Sequence, residues 1–210
     1  GIIPLGTAND LATQLHIPSN IKDAIGIISS GFTRNIDLGK VNGHYFINNS
    51  AIGLETEVTL ANERMTKVQG PLRYLLAAIL TILKRPSWQT NLVWNNSEYS
   101  GSLTLVSVGN SNRTGGMFYM TPNAIVDDGK LDFIYAPELT RREMFRLLPQ
   151  TLNGSHISNS AIHEHRTSHL QINCDPPTTI QADGEIFSAA TTDITYSIIR
   201  QALQILVPKL

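Results

Sequence analysis

The chain reads as an α/β segment followed by a longer β-rich one. Three observations predict this. A short apolar run, a glycine turn and two stretches of helical periodicity occupy the chain up to Gly31. From Arg34 the apolar period drops from that of a helix to two. Beyond that point short alternating runs recur between Asn-Gly and Asp-Gly turns, which is the pattern of an antiparallel sheet.

Ile2-Ile3-Pro4-Leu5 predicts a short strand, and Gly6-Thr7-Ala8-Asn9-Asp10-Leu11-Ala12 predicts a turn and a helix start, with Leu11, Ala12 and Leu15 at helical spacing. Ile17-Pro18-Ser19 breaks the pattern. Asn20 then caps a second helix with the apolar face Ile21, Ala24, Ile25 and Ile28, stopped by Gly31. Ile36 and Leu38 alternate, Asn42-Gly43 marks a two-residue hairpin, and Tyr45 to Ile47 begins the return strand. Gln69-Gly70-Pro71 starts a helix that runs to about Lys84, Pro86 stops it, and Trp88 to Trp94 and Leu103 to Val108 are strands. Residues 109–122 form a long polar glycine loop, the kind of connection on which binding sites are placed. Thr140 and Glu143 form a capping box for a helix with Met144, Leu147 and Leu148 inward. Residues 153–166 read as a mobile connection, and Leu170 to Cys174, Ile194 to Ile198 and Leu203 to Val207 as short strands.

With 210 residues, 41% of them hydrophobic and 16% charged, the chain can bury a core, and a net charge of −1 argues against nucleic acid as a partner. Any anionic surface must be met by a local patch. Cys174 stands alone, which excludes an internal disulfide and fits a reducing compartment such as the cytoplasm. The run Leu75 to Leu83 ends at Lys84-Arg85, short of the roughly twenty residues of a bilayer span. The first residues carry neither a basic leader nor an initiating methionine, so the chain is expected to be a piece of a longer protein.

Three places can carry chemistry. Gly6 permits close backbone approach, the Thr7 hydroxyl and free amides of the following helix can donate to a phosphate, and Asn9 or Asp10 can cap that helix or hold a ligand. An ordinary capped βα turn has the same composition. Asp127-Asp128-Gly129 gathers the oxygens a hard cation requires, as does a plain hairpin turn. Asp183-Gly184-Glu185 lies between two apolar runs, where a carboxylate could take a proton from a hydroxyl, or the residues could simply turn the chain. His163, His165 and His169 match no zinc spacing. Arg73, Lys84, Arg85, Arg141, Arg142 and Arg146 flank apolar helical faces, as at a membrane surface or a solvated helix.

LGTANDLA at Leu5 to Ala12, His16-Ile17-Pro18, Asn35-Ile36-Asp37, the segment Pro122 to Leu131 and Asp183-Gly184-Glu185, in this order, resemble the bacterial diacylglycerol-kinase-like lipid kinases of the YegS type. Sphingosine and ceramide kinases and, more distantly, NAD kinases are relatives of that family. The resemblance implies the C-terminal part of an NAD-kinase-like α/β nucleotide-binding domain in residues 1–40, a β-sandwich-like lipid-binding domain in 41–193 and a C-terminal segment, 194–210, that returns to the first domain. It implies that ATP binds through Gly6, Thr7, Asn9 and Asp10. Asp128 and the carbonyls of Ile125 and Lys130 would hold a structural Mg2+, Glu185 would be the proton acceptor, and Asp183 its partner. The acceptor would be a membrane lipid, reached by transient contact with the inner membrane from the cytoplasm. The family's glycine-rich GGDGT phosphate loop is missing ahead of GTANDLA, so this piece alone is expected to bind ATP poorly and turn over little. A non-catalytic lipid-binding module and an NAD-kinase-like enzyme with a soluble substrate are the alternatives. The sequence leaves the acceptor lipid and the oligomeric state open.

Overall fold

Asn20 accepts hydrogen bonds from the amides of Lys22 and Asp23, and Gly31 ends the helix in the left-handed region at φ 72°, so the second helix forms as its sequence predicts. A computed structural model describes residues 1–65, 71–188 and 190–209 of the chain. Its helices are α1 (Asp10–Gln14), α2 (Ile21–Ser30), α3 (Leu54–Arg64), α4 (Pro71–Lys84) and α5 (Arg141–Thr151). Gln69 and Gly70, expected at the start of α4, lie outside the described residues. The strands are β1 (Thr33–Val41), β2 (His44–Phe46), β3 (Asn49–Gly53), β4 (Trp88–Trp94), β5 (Ser97–Gly109), β6 (Leu131–Pro137), β7 (His163–Thr167), β8 (His169–Thr178), β9 (Gln181–Ala182), β10 (Glu185–Ile186) and β11 (Thr191–Leu206).

The strands form one antiparallel sheet in the order β10-β9-β3-β5-β4-β8-β11-β1-β2, with β6 attached to β5 and β7 to β6. β5 is long enough to pair successively with β4, through Ser97 to Leu103, and β3, through Leu105 to Gly109. β6 pairs along the same Leu103 to Gly109 half. One strand therefore serves three neighbours, and the sheet curls around an interior filled by Phe46, Leu92, Trp94, Val106, Phe133, Leu170, Ile180 and Tyr196. β6 is buried on both faces, as the long connections that cover it require. Phe133 and Tyr135 enter the curl, and Ile134 and Ala136 meet α4 and α5 on the other side.

Four expectations need correction. Ile2 to Leu5 form no strand, because the described chain gives them no partner in the sheet. The face of α2 is rotated: Ala24 is buried and Ile27 packs beside it, whereas Ile21 and Ile25 are about half exposed. Residues 153–166 are not a mobile connection. They form a 3-10 turn at Ser155–Ser158 and the start of β7, whose polar side chains are tolerated because His163 and His165 lay their rings on Tyr135. The last two short strands are one, β11, which pairs with β1 from Tyr196 to Leu206 across a bulge at Ile36/Leu38. The sequence also gives no sign of α3, whose buried face contains Glu55, Thr56 and Thr59 beside Val58.

Candidate active site

The Gly6 to Asp10 stretch is shaped by its own side chains. Gly6 N–H donates to Asn9 Oδ1 at 3.0 Å and Asn9 Nδ2 donates back to the Gly6 carbonyl at 2.7 Å, closing a small ring that leaves Asn9 at φ 51°. Asn9 therefore occupies the N-cap position of α1 without capping it through its side chain. Asp10 points the other way. Both of its oxygens accept the Gly116 amide, at 3.1 and 3.2 Å, with the Arg113 Nε 4.0 Å from Oδ1. Burial raises the Asp10 pKa against these donors. Gly116 is at φ 80°, and a Cβ there would lie 3.0 Å from Ala8 Cα, so the tip of the long polar loop can rest on this motif only as glycine. The Thr7 hydroxyl is exposed and has no hydrogen-bond partner among the described residues.

Across from it stands the turn between β9 and β10. Asp183, at φ 49°, accepts the amides of Ile47, Asn48 and Asn49 at 2.8, 2.7 and 3.2 Å, so this carboxylate fastens the turn to the β2–β3 connection. Gly184 N–H donates to Gln181 Oε1 at 3.0 Å. Glu185 is exposed on β10, opposite Ala182, and its side chain makes no hydrogen bond among the described residues. Thr7, Ala8 and Asp10 on one side and Asp183 and Gly184 on the other line a polar cleft of about 190 Å³, with Asn49, Arg73, Tyr74 and Thr114 in its walls. Two motifs more than 170 residues apart thus share one opening, and Glu185 stands just outside the cleft lining.

Tyr74 and Thr114 also line a second cavity, of about 90 Å³, between α3, α4, α5 and the outer face of β5 and β6. Its wall is almost wholly carbon, from Val58, Ile82, Phe118, Ile134, Met144 and Leu147 among others. Glu55 is the charged residue in that lining, and burial lifts its pKa to about 7 although Ser107, Asn49 and Thr114 favour the charged form. His156 also lines it. Its Nε2 lies 3.1 Å from the Met120 carbonyl, and burial lowers its pKa.

The oxygens of the Asp128 turn are already engaged. Asp128 Oδ1 accepts the Lys130 amide at 2.9 Å, Oδ2 meets the Arg166 guanidinium, and Arg200 Nη2 donates to the Asp128 carbonyl at 3.4 Å. Among the described residues no group of three or more His, Cys, Asp or Glu side chains is placed to hold a metal ion. As it stands the turn does not fit Mg2+: Asp128 is already neutralised by one guanidinium and shadowed by a second, so a cation carried by Asp128, Ile125 and Lys130 would have to displace Arg166. Of the basic residues on the helices, Arg85 is tied to Glu138 at 2.9 Å, Arg141 to the Leu83 carbonyl at 2.8 Å, and Arg73 to Asn62 at 2.9 Å.

Sequence reasoning passed over several residues that build this site. Asp37 is fully buried and accepts the amides of Gly129 at 2.5 Å and Gln201 at 2.7 Å, joining β1 to the Asp128 turn and to β11. Asn110 Nδ2 donates to the carbonyls of Asp37 and Ile47. Glu55, Asn49 and Gln181 form a buried trio. An isolated carboxylate or amide inside an apolar alternation is the only trace such groups leave in a sequence.

A curled antiparallel sheet with a Gly-Thr motif facing an Asp-Gly turn defines an NAD-kinase-like β-sandwich protein. The family model described as "YegS C-terminal NAD kinase beta sandwich-like domain" matches residues 49–207, and that of the "Diacylglycerol kinase catalytic domain" matches residues 1–41. The chain belongs to the bacterial diacylglycerol kinase and YegS-like family. It is 32% identical over 216 residues to a diacylglycerol kinase of Mycobacterium tuberculosis (strain ATCC 25618 / H37Rv), an alignment that takes in all of this chain and 69% of that one. It is 28% identical over 186 residues to a diacylglycerol kinase of Staphylococcus haemolyticus (strain JCSC1435), covering 88% of this chain and 56% of that protein. The chain thus spans little more than half the length of that relative. A crystal structure of a diacylglycerol kinase from Bacillus anthracis str. Sterne shares the fold, with a TM-score of 0.77 at 23% identity over 98% of this chain and 67% of that one. Among the described residues no helix is long and apolar enough to cross a membrane.

Proposed function

We propose that this chain contributes the acceptor-binding part and one wall of the nucleotide cleft of an ATP-dependent lipid kinase, which transfers the terminal phosphoryl group of ATP to a lipid hydroxyl. The observation that carries the reading is the polar cleft between Thr7 and Asp183, which shares Tyr74 and Thr114 with an apolar cavity. Such a junction suits a substrate with a polar reacting end and an apolar tail. A nucleotide alone would leave the cavity unused.

In this reading residues 1–40 complete the nucleotide domain, 41–193 form the acceptor domain, and 194–210 return to the first. Thr7 donates to the phosphates, Gly6 lets them approach the backbone closely, and the ring between Gly6 and Asn9 holds the motif in shape. Asp10 acts through Gly116, placing the polar loop against the nucleotide side. Asp183 positions the β9–β10 turn, and Glu185, carried by that turn, accepts the proton of the attacking hydroxyl as the phosphorus–oxygen bond forms and ADP leaves. Mg2+ arriving with ATP would neutralise phosphate charge. No step passes through a metal at Asp128. The site works at the cytoplasmic face of the inner membrane, where it meets the lipid acceptor.

The test is phosphoryl transfer from labelled ATP, with the chain and any residues its gene encodes ahead of Gly1, to short-chain acylglycerols, a sphingoid base or NAD. Label in the lipid fraction, reduced by roughly 10²-fold in Glu185→Gln, is the expected result. Label in NAD alone favours the soluble-substrate enzyme. Lipid binding without transfer, unaffected by Glu185→Gln, favours a binding module.

A further inference from the structure

α4 is apolar on both of its faces. Tyr74, Ala78 and Ile82 line the apolar cavity on the inner side. Leu72, Leu76, Leu80 and Leu83 follow the spacing of one helical stripe on the opposite side and are 57%, 36%, 49% and 50% exposed. A helix that is apolar all round belongs in a protein interior or in lipid, and the outer face of this one is bare among the described residues. At 14 residues it is about 21 Å long, too short to cross a hydrocarbon layer of about 30 Å, so its place is along such a layer and not through it.

The surroundings of the stripe select what covers it. α5 meets the C-terminal end of α4, where Arg141 Nε donates to the Leu83 carbonyl at 2.8 Å. It too turns one face, with Met144 and Leu147, to the cavity, and leaves Phe145 exposed outside. Lys84 at the end of the stripe and Arg142 and Arg146 on α5 are exposed, and their side chains have no hydrogen-bond or ion-pair partner among the described residues. Residues 71–85 and 138–152 together hold six basic and two acidic side chains, in a chain whose net charge is −1. Both acids are engaged, Glu138 by Arg85 and Glu143 by the Thr140 cap. α3, which also packs on α4, adds Glu57, Glu63 and Arg64 and leaves the helical layer basic. A leucine stripe bordered by free cations complements a layer with an apolar interior and an anionic surface. A second copy of the chain fits it poorly. α4 carries no acidic residue, so pairing two such faces would set cations against cations with nothing on the helix to neutralise them.

We infer that α4 docks the protein on an anionic bilayer, lying in the plane of the headgroups with Leu72, Leu76, Leu80 and Leu83 among the first acyl carbons and Lys84, Arg142 and Arg146 on the lipid phosphates. This rests on the lipid-kinase reading above and deepens it, because it gives an acceptor held in a membrane a way to the cleft. The stripe and the cavity lie on opposite faces of the same helix, which is about 10 Å across with its side chains. Docking therefore sets the cavity within about one helix diameter of the acyl layer, and Tyr74 and Thr114 join that cavity to the polar cleft. An acceptor then leaves the layer only in part, and its tail exchanges one apolar environment for another. The attraction to lipid phosphate is local, as a net charge of −1 requires.

The test is flotation, without ATP, of the chain with any residues its gene encodes ahead of Gly1. The vesicles are phosphatidylcholine alone and phosphatidylcholine mixed with phosphatidylglycerol. Binding to the mixed vesicles, weakened by salt, is the expected result. Leu76→Glu with Leu80→Glu should lower the partition coefficient by more than roughly tenfold. Arg142→Ala and Arg146→Ala should each lower it about fivefold, on the anionic vesicles only. All four positions are on the surface, so the urea midpoint should stay close to that of the parent. Leu80→Trp needs no loss of function to be read: its emission should move to the blue on the mixed vesicles, with quenching by lipids brominated high on the acyl chain. Unchanged binding in the leucine variant overturns the inference. A dimer in sedimentation that the leucine variant dissociates makes a second copy the occupant and overturns it as well. Phosphoryl transfer separates this surface from the reading it rests on. The leucine variant should match the parent on a water-soluble short-chain acceptor and lose roughly tenfold on a long-chain acceptor held in mixed vesicles. A parent that transfers to the soluble acceptor but floats with neither vesicle overturns the docking face and leaves the kinase reading standing. Flotation that depends on the leucines, without transfer to either acceptor, removes the kinase reading and supports the docking face.

Discussion

The Gly116 amide donates to both carboxylate oxygens of Asp10, at 3.1 and 3.2 Å, across 106 residues of sequence. This contact seats the long polar loop on the Gly-Thr motif and so forms one side of the cleft. It also explains why a residue that sequence patterning offers as a helix cap does not act as one. A buried carboxylate is worth more when it satisfies a distant loop amide than when it caps the five-residue helix α1.

Gly116→Val places a branched side chain at φ 80°, with its Cβ 3.0 Å from Ala8 Cα. The expected cost is about 1–3 kcal/mol, with the loop displaced from the motif. Urea unfolding measures the first effect, and weakened nucleotide binding reports the second. A variant as stable as the parent, with unchanged binding, would show that the loop does not depend on this approach.

Asp37→Asn substitutes an NH2 for one of two oxygens that accept the Gly129 and Gln201 amides. One buried N–H then faces a donor, and a loss of about 1–3 kcal/mol follows, seen as a lower urea midpoint with unchanged slope. Hydrogen exchange at Gly129 and Gln201 should speed up more than at Leu92 in the centre of β4.

Stability should decline from about pH 5 to about pH 7. Burial raises the pKa of both Glu55 and Asp132 to about 7, with nearby Glu164 adding to the effect at Asp132 and the Arg166 Nε, 3.3 Å from Asp132 Oδ1, opposing it, so Glu55 is the firmer of the two. In this window the folded chain keeps protons that the unfolded chain has released. The stability these groups give is therefore present at low pH and lost as pH rises through about 7, with a slope of up to about 1.4 kcal/mol per unit for each. Glu55→Gln should flatten the curve measured by urea unfolding across this range. A stability that climbs over the same window would contradict the assignment of both groups.

Magnesium should act weakly at the Asp128 turn while Arg166 is present. Adding about 5 mM magnesium chloride is expected to move the melting temperature of the parent chain by less than about 1 °C. Arg166→Ala frees an Asp128 oxygen, and the same addition should then raise its melting temperature by several degrees. A large shift in the parent chain would mean that the metal displaces Arg166 unaided.

What the sequence determined alone is what neighbouring residues decide among themselves. The Asn20 cap, the Thr140 and Glu143 capping box, the Asn42-Gly43 turn and the alternation of β4 each close within a few residues, and each appears where the pattern puts it. The family was legible too, because its motifs are contiguous. Tertiary structure decided the rest. α3 buries Glu55, Thr56 and Thr59, which no apolar period reveals, because Asn49 and Gln181 on β3 and β9 satisfy the carboxylate. β7 is a strand because β6 offers it an edge and Tyr135 offers its histidines a face. Asp10, Asp37 and Asp183 find their amides 106, 92 and 136 residues away. A carboxylate's partner is chosen by where the curled sheet brings buried amides, and that choice exists only once the sheet has closed.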